Sequence, residues 1–389
     1  MWRAIASNGL SLLIVALFLL GGLIMWGQDQ YRGAGPLIDA ICLQVERGSN
    51  MARVSAELEA SGAVSSARIF RMGADYSEKS SQLKAGSFLV EPGASMETIV
   101  DQITRGGAST CGTEIVYRVG VTRVLAEVRE LDPATNRFVE KVEFNPAEVD
   151  APELYVAKKA EPGTRFRIAL AEGVTSWQVV ESLKAMDVLD GEVGEVPAEG
   201  SLAPDSYEVR LGDIRADVLA RMQASQSARI AQAWQNRQEG LPFETPEEML
   251  ILASIIEKET GNAEERGPVA SVFVNRLREG MRLQTDPTVI YGITEGRGTL
   301  GRGIRQSELR AATPWNTYVI TGLPPTPIAN PGQASLEAAA NPAETDYIFF
   351  VAKTLDPADG HNFARTLDEH NRNVAAYRRL EAAQPASDN

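Results

Sequence analysis

Histidine and cysteine are scarce in this chain, with two of each in 389 residues. Metal sites of the zinc type need three or four such ligands brought together. His361 and His370 both lie near the C-terminus, where each reads as a surface or structural residue. Metal chemistry is not indicated, and no cofactor is expected. Positive charge is also short: 38 Lys and Arg stand against 52 Asp and Glu, for a net charge of −14. Phosphate backbones require a basic face, so nucleic acid is not the expected partner. The deficit is equally unhelpful for charge-driven docking on anionic lipid. Ser81-Gln-Leu-Lys84 has the S-x-x-K spacing of penicillin-binding enzymes, but neither K-T-G nor S-D-N follows in order, so it is read as chance.

Enough apolar residues remain for a folded protein. They make up 44% of the chain, with five Trp and nine Tyr. The length allows two or three domains.

One long apolar run exists. Gly9 to Trp26 carries no charge over 18 residues, enough to cross about 30 Å of hydrocarbon as a helix. Arg3 precedes it, and Asp29 and Arg32 follow. The positive side stays in the cytoplasm. The expectation is a cytoplasmic N-terminus over 1–8, a single-pass transmembrane helix over 9–27 and an extracytoplasmic body. A cleaved signal peptide is the competing reading, but the apolar core is long and no A-x-A site follows directly. In an oxidising compartment Cys42 and Cys111 could pair; two buried thiols are the alternative.

The body contains a repeat. Leu43-Gln-Val-Glu-Arg-Gly48 leads to Val54 and Leu58; Ile168-Ala-Leu-Ala-Glu-Gly173 leads to Val179 and Leu183. Ala85-Gly-Ser-Phe-Leu-Val90 leads to Gly93 and Ile99; Pro204-Asp-Ser-Tyr-Glu-Val209 leads to Gly212 and Val218. Each segment reads as strand, turn and helix, giving a β-α…β-α unit present twice, at 40–110 and, with a connecting helix, at 166–240. Such units resemble LysM-like modules, which bind glycans; a duplicated scaffold without ligand is the plainer reading. Val alternating with polar residues across 112–165 predicts half-exposed strands. The stretch from Thr313 to Gly332 is rich in Pro and Gly, a long irregular loop of the functional kind. A disordered tail is expected over 381–389.

The most informative stretch lies at 245–260. Thr245 is a good N-cap, Pro246 fits the first helical position, and Glu248 completes a capping box. Gly261 is the expected stop. At about 100° per residue, Glu257 falls between Leu250 and Ala253 and continues an apolar stripe. A carboxylate there is costly without a partner or a task. It also meets the unfavourable end of the helix dipole. Both effects raise a carboxyl pKa, as a general acid near neutral pH needs. Most Glu residues in a last turn are merely solvated or ion-paired. Glu259 points about 160° away, so the two cannot form a close pair.

Three blocks extend this pattern: Leu252-Ala-Ser-Ile-Ile-Glu-Lys-Glu-Thr260, Val269-Ala-Ser-Val-Phe-Val-Asn-Arg-Leu277 and Gly280-Met-Arg-Leu-Gln-Thr-Asp-Pro-Thr-Val-Ile-Tyr-Gly292. Thr313-Pro-Trp-Asn-Thr-Tyr318, Thr321-Gly-Leu-Pro-Pro325, Pro331-Gly332, His361-Asn-Phe363 and His370-Asn371 follow. Together they resemble the endolytic murein transglycosylase (YceG-like) family. The chain departs from it at Thr326-Pro327, where a small residue such as Gly is expected, and over 112–165, which has no confident match.

The resemblance implies an α+β fold: an N-terminal transmembrane helix, duplicated LysM-like β-α units and a mixed α/β catalytic domain over 241–380. It implies an inner-membrane lyase acting on peptidoglycan strands, with membrane-bound peptidoglycan synthases as plausible partners. The family's catalytic Glu falls on Glu257. Gln284, Thr285 and Asp286 could bond sugar hydroxyls, and Asn316 and Tyr318 could orient N-acetyl groups; the plainer use of Asp286 is to cap the helix at Pro287. Glu259 is read as structural, paired with Arg266 or Arg276. Two other classes stay open. A glycan-binding scaffold would keep binding without Glu257. A water-using muramidase would need a second carboxylate near Glu257, from Glu264, Glu265 or Asp286.

Overall fold

The computed structural model describes residues 2–105, 111–161 and 163–383, without the side chains of residues 2–12 and 357. It is a mixed α+β chain. Its first part runs α1 (Trp2–Arg32), β1 (Ile41–Val45), α2 (Met51–Ala60), α3 (Ala67–Tyr76), β2 (Gly86–Val90) and α4 (Met96–Arg105). Then come β3 (Thr113–Val119), β4 (Val124–Asp132), β5 (Arg137–Phe144) and α5 (Glu153–Ala160). Next are β6 (Arg165–Leu170), α6 (Ser176–Ala185), β7 (Leu189–Asp190), β8 (Ser206–Val209), β9 (Asp213–Ile214) and α7 (Arg215–Gln235). The last part is α8 (Pro246–Glu259), α9 (Arg266–Arg278), α10 (Asp286–Thr294), α11 (Gln306–Leu309), α12 (Gln333–Ala340), β10 (Phe349–Ala352), β11 (His361–Ala364) and α13 (Leu367–Ala383). Helix α13 covers the start of the expected disordered tail; residues 384–389 lie outside the described set.

A five-stranded sheet has the order β5-β4-β3-β6-β8, and the other strands form three two-stranded pairs. The chain divides into two compact units. One comprises Met1–Ile115, Glu127–Glu143 and Ala151–Arg165; the other comprises Val116–Ala126, Phe144–Asp150 and Phe166–Asn389.

In the first unit β1 and β2 pair antiparallel, Leu43 opposite Phe88. Val54, Leu58, Phe70, Ile99 and Ile103 are fully buried beneath them. Cys42 and Cys111 are bonded, with Cα atoms 5.6 Å apart. The apolar part of α1, Leu13–Arg32, is long and apolar enough to cross a membrane, and most of it is exposed ahead of its last turn. Such a helix is compatible with a single-pass anchor. Its last turn packs on α3 and α4, with the Tyr31 ring lying where a side chain on Gly73 would stand.

In the second unit β6 and β8 pair antiparallel, Phe166 opposite Val209. The backbone repeats what β1 and β2 do. Gly48 and Gly173 both adopt positive φ (83° and 78°), and in each case the residue two positions on, Asn50 or Thr175, caps the next helix with its side chain. Gly93 and Gly212 are likewise at positive φ after the second strand. The main core of this unit surrounds α8. Met249, Leu252, Ala253, Ile255 and Ile256 pack against Val269 and Phe273 of α9 and Leu336, Ala339 and Ala340 of α12.

Candidate functional site

The start of α8 is built as its sequence requires. Thr245 Oγ1 accepts from Glu248 N at 3.2 Å, and Glu248 Oε2 accepts from Thr245 N at 3.2 Å. The end differs from expectation. The helix stops at Thr260, which is extended (φ −141°). Gly261 is not needed as a left-handed stop, because Thr260 leaves the helix from an ordinary β conformation. One turn before the end, Ser254 Oγ accepts from Ile328 N at 3.0 Å, which ties the loop ahead of α12 to the helix.

Glu257 leaves α8 on the side facing that loop, and its side chain is only 6% exposed. Oε2 accepts from Gly332 N at 3.0 Å, and Gly332 is the N-cap of α12. The carboxylate therefore stands at the C-terminal end of one helix and the N-terminal end of another. The second end presents free N–H groups and favours negative charge. Oε1 faces Arg266 Nη2 at 3.9 Å. Neither the Gly332 N–H nor the Arg266 guanidinium is visible in the local sequence around Glu257.

The same Arg266 nitrogen lies 3.5 Å from Glu172 Oε2. Glu172 follows β6, and its carboxyl is raised above the ordinary carboxylate range by burial first and then by the charge of Glu257; Arg266 and Arg229 oppose the shift. The turn carrying it is fixed from both sides. Gly173 N donates to Asn330 O at 3.0 Å, and Asn330 N donates to Val174 O at 2.8 Å. The Asn330 side chain, fully buried, accepts from Leu202 N at 2.9 Å and donates to Val174 O at 3.0 Å. Lys258 Nζ donates to Gly173 O at 3.2 Å. Burial lowers the Lys258 ammonium, opposed by Glu257 and Glu199. Glu199 is a further buried carboxyl, raised by burial, that accepts from Ser176 N at 2.8 Å and Tyr291 OH at 3.2 Å.

The residues expected to contact substrate gather around Glu259. Thr285 is buried; its hydroxyl donates to Glu259 Oε1, and its N–H donates to Thr317 Oγ1 at 3.0 Å. Burial raises the Glu259 carboxyl. Its partner is Thr285, not Arg266, although the Arg276 charge acts on it. Tyr318 OH donates to Asp286 Oδ1 at 2.6 Å. Asp286 opens α10 but is not its cap: Thr285 is the N-cap, and no side chain caps it. Asn316 is fully buried, donating to Ala311 O at 2.7 Å and accepting from Tyr318 N at 3.0 Å. Gln284 is exposed with positive φ (51°), its N–H on Thr317 O at 3.2 Å. Gln284 and Asp286 are the exposed members of the cluster, Tyr318 is half-buried, and Thr285 and Asn316 hold the loops in shape.

A model of the YceG-like family matches residues 43–376. The chain belongs to the YceG-like family. Among its relatives is the endolytic murein transglycosylase of Bacillus subtilis, 27% identical over 340 residues, a match that covers 86% of this chain and 84% of the Bacillus protein. The protein of that name from Streptococcus pneumoniae is 27% identical over 344 residues, covering 87% of this chain and 58% of the streptococcal one. A crystal structure of a yceG-like protein from Listeria monocytogenes is similar at 24% identity over 86% of this chain and 98% of that one, with a TM-score of 0.45.

In this YceG-like chain the carboxylates considered as partners for Glu257 are held elsewhere. Glu265 accepts from His361 N at 2.7 Å and lies 2.8 Å from His361 Nδ1. Asp286 is with Tyr318, and Glu264 is exposed on the turn after Asn262. The acid beside Glu257 is Glu172, which sequence reasoning missed. Its only sequence signal is its place before Gly173 in the repeat. Arg266 also lines an open groove of about 510 Å³ with Gln232, Asn236, Gln333 and Glu337. Such amides and carboxylates can bond sugar hydroxyls.

Proposed function

We propose that this chain is a membrane-anchored endolytic lytic transglycosylase of peptidoglycan. It cleaves the β-1,4 bond between N-acetylmuramic acid and N-acetylglucosamine inside a glycan strand and leaves a 1,6-anhydromuramyl end. The carrying observation is Glu257: one nearly buried carboxyl, hydrogen-bonded by Gly332 N and facing Arg266. The names of its Bacillus and streptococcal relatives support the same activity.

Glu257 first gives its proton to the glycosidic oxygen as the C1–O bond breaks, and the N-acetylglucosamine side leaves with a free 4-hydroxyl. The Glu257 carboxylate then takes the proton of the C6 hydroxyl as that oxygen bonds to C1 of the same sugar. Ring closure is intramolecular, so no water is consumed and Glu257 ends protonated as it began. Gln284, Asp286 and Tyr318 offer polar groups to the sugars. Thr285 and Asn316 contribute by shaping the loops that carry them.

In this reading α1 spans the inner membrane with its N-terminus in the cytoplasm and the body outside. The paired β-α elements are LysM-like units that bind glycan, a duplication their matching glycine turns and caps support. Cuts in strands still being made would end their elongation, beside membrane-bound synthases. A hydrolase is the second reading, and Glu172 favours it as a base for water. The test is mass spectrometry of glycan strands digested by the full chain in detergent, beside Glu257→Gln. Internal fragments with anhydromuramyl ends, absent with the variant, are expected. Reducing ends would replace this reading with the hydrolase, and uncut strands that still bind would replace it with a scaffold.

A further inference from the structure

We propose that Glu172 is a positioning residue for Glu257: it holds Arg266 away from the catalytic carboxyl, with its own side chain seated on Gly332. This rests on the acid–base role of Glu257 proposed above. Two independent features carry it. The first is the shared guanidinium, whose Nη2 is nearer Glu172 (3.5 Å) than Glu257 (3.9 Å). The separation of the two carboxylates is bounded by those distances. Arg266 is 11% exposed and its Nε is buried without a hydrogen-bond partner, so the guanidinium has donor capacity left. The second feature is Gly332. A Cβ there would stand 1.7 Å from Glu172 Oε1 and 2.2 Å from its Cδ. At φ −75° the backbone itself accepts any side chain. Any side chain at 332 would displace the Glu172 carboxyl that lies over it.

An acid that must deliver a proton is spoiled by a close, unshared guanidinium, because an opposite charge favours the ionised form. Glu172 counters this twice: it draws Arg266 to itself and places a like charge beside Glu257. The charged groups around Glu257 are Arg266 of α9, Glu172 of the turn after β6, and Lys258 of its own helix; Glu199 acts on Lys258, and Arg229 of α7 acts on Glu172. The Gly332 N–H at the start of α12 completes the set. Among the described residues, Glu172 is the acid other than Glu257 that lies within 4 Å of Arg266.

The test is the pH dependence of strand cleavage by the full chain in detergent, with Glu172→Gln, Glu172→Asp and Gly332→Ala. Glu172→Gln should move the alkaline limb of kcat/KM to lower pH by roughly half a unit, the usual opposite-charge shift discounted for the partial exposure of Glu172. Above that limb the rate should fall about threefold. Glu172→Asp should restore most of it. Gly332→Ala keeps the N–H but displaces Glu172, so it should shift the limb the same way and add nothing to Glu172→Gln. Carbon-13 NMR titration of labelled Glu carboxyls, with Glu257 assigned by its loss in Glu257→Gln, reads the same shift without catalysis. A Glu257 titration unmoved in both Glu172→Gln and Gly332→Ala would overturn the proposal. Failure of the unsubstituted chain to cleave would instead count against the enzymatic reading, with the titration still deciding the role of Glu172.

Discussion

The backbone N–H of Gly332 donates to Glu257 Oε2 at 3.0 Å, joining the last turn of α8 to the first residue of α12. The contact holds the carboxyl in one orientation without removing its ability to carry a proton on the other oxygen. Glu257→Gln keeps an acceptor for that N–H and nearly the same volume. Strand cleavage should fall by at least about a hundredfold, while the melting temperature stays within a few degrees. A variant that still cleaves at a tenth of the normal rate would remove Glu257 from the chemistry.

The capping box at Thr245 is a stability device remote from the carboxyl it supports. Thr245→Ala removes the acceptor for Glu248 N. It should cost about 1 kcal/mol in urea denaturation, with cleavage unchanged under conditions where the protein is folded.

Glu199 should make the second unit sensitive to pH. Burial raises its carboxyl above the ordinary value of 4.5. The protonated form is favoured in the folded state, so its contribution is complete below pH 4.5 and is lost as pH rises through the raised value. Thermal melts from pH 4.5 upward should show this loss. Glu199→Gln, which retains an acceptor for Ser176 N, should flatten the curve; an unchanged slope would assign the dependence to Glu259 or Glu172, which are raised in the same direction.

The Cys42–Cys111 bond closes a loop with a sequence separation of 69. A cross-link of that span is worth about 4 kcal/mol through restriction of the unfolded chain. Replacing both cysteines with serine should destabilise the first unit by that order and leave the melting of the second unit in place, measured by calorimetry with and without reductant.

Tyr31 sits against Gly73 and the core of the first unit. A chain begun at Gln28 should therefore melt higher than one begun at Gly33, by the partial burial of one aromatic ring, about 1 kcal/mol. Equal melting temperatures would show that the end of α1 contributes nothing to that core.

Local chemistry was legible in the sequence wherever it decided the outcome by itself. Thr245, Pro246 and Glu248 announced the start of α8, and the spacing of apolar residues placed Glu257 on its buried side. Contacts between distant segments were not legible. Glu172 lies 85 residues before Glu257 in the chain, and nothing local in Ala171-Glu172-Gly173 says which helix end it will meet. The Thr285–Glu259 bond was missed for the same reason: periodicity gives the direction of Glu259 and not what lies there. Thr260 ended α8 where Gly261 was expected, because a helix can leave through extended backbone without needing a left-handed residue. Composition marks the Pro- and Gly-rich stretch as a functional loop, and within it Asn330 holds the turn of Glu172 while Gly332 meets the Glu257 carboxyl.

Helix α1 runs without a break from Trp2 to Arg32, and its final turn is already part of the first unit through Tyr31. With the apolar part in a bilayer, no slack chain remains between the lipid and the folded protein. The first unit then stands on a stiff post, not a leash. In that anchored arrangement its height above the membrane is set by helix geometry at about 1.5 Å per residue.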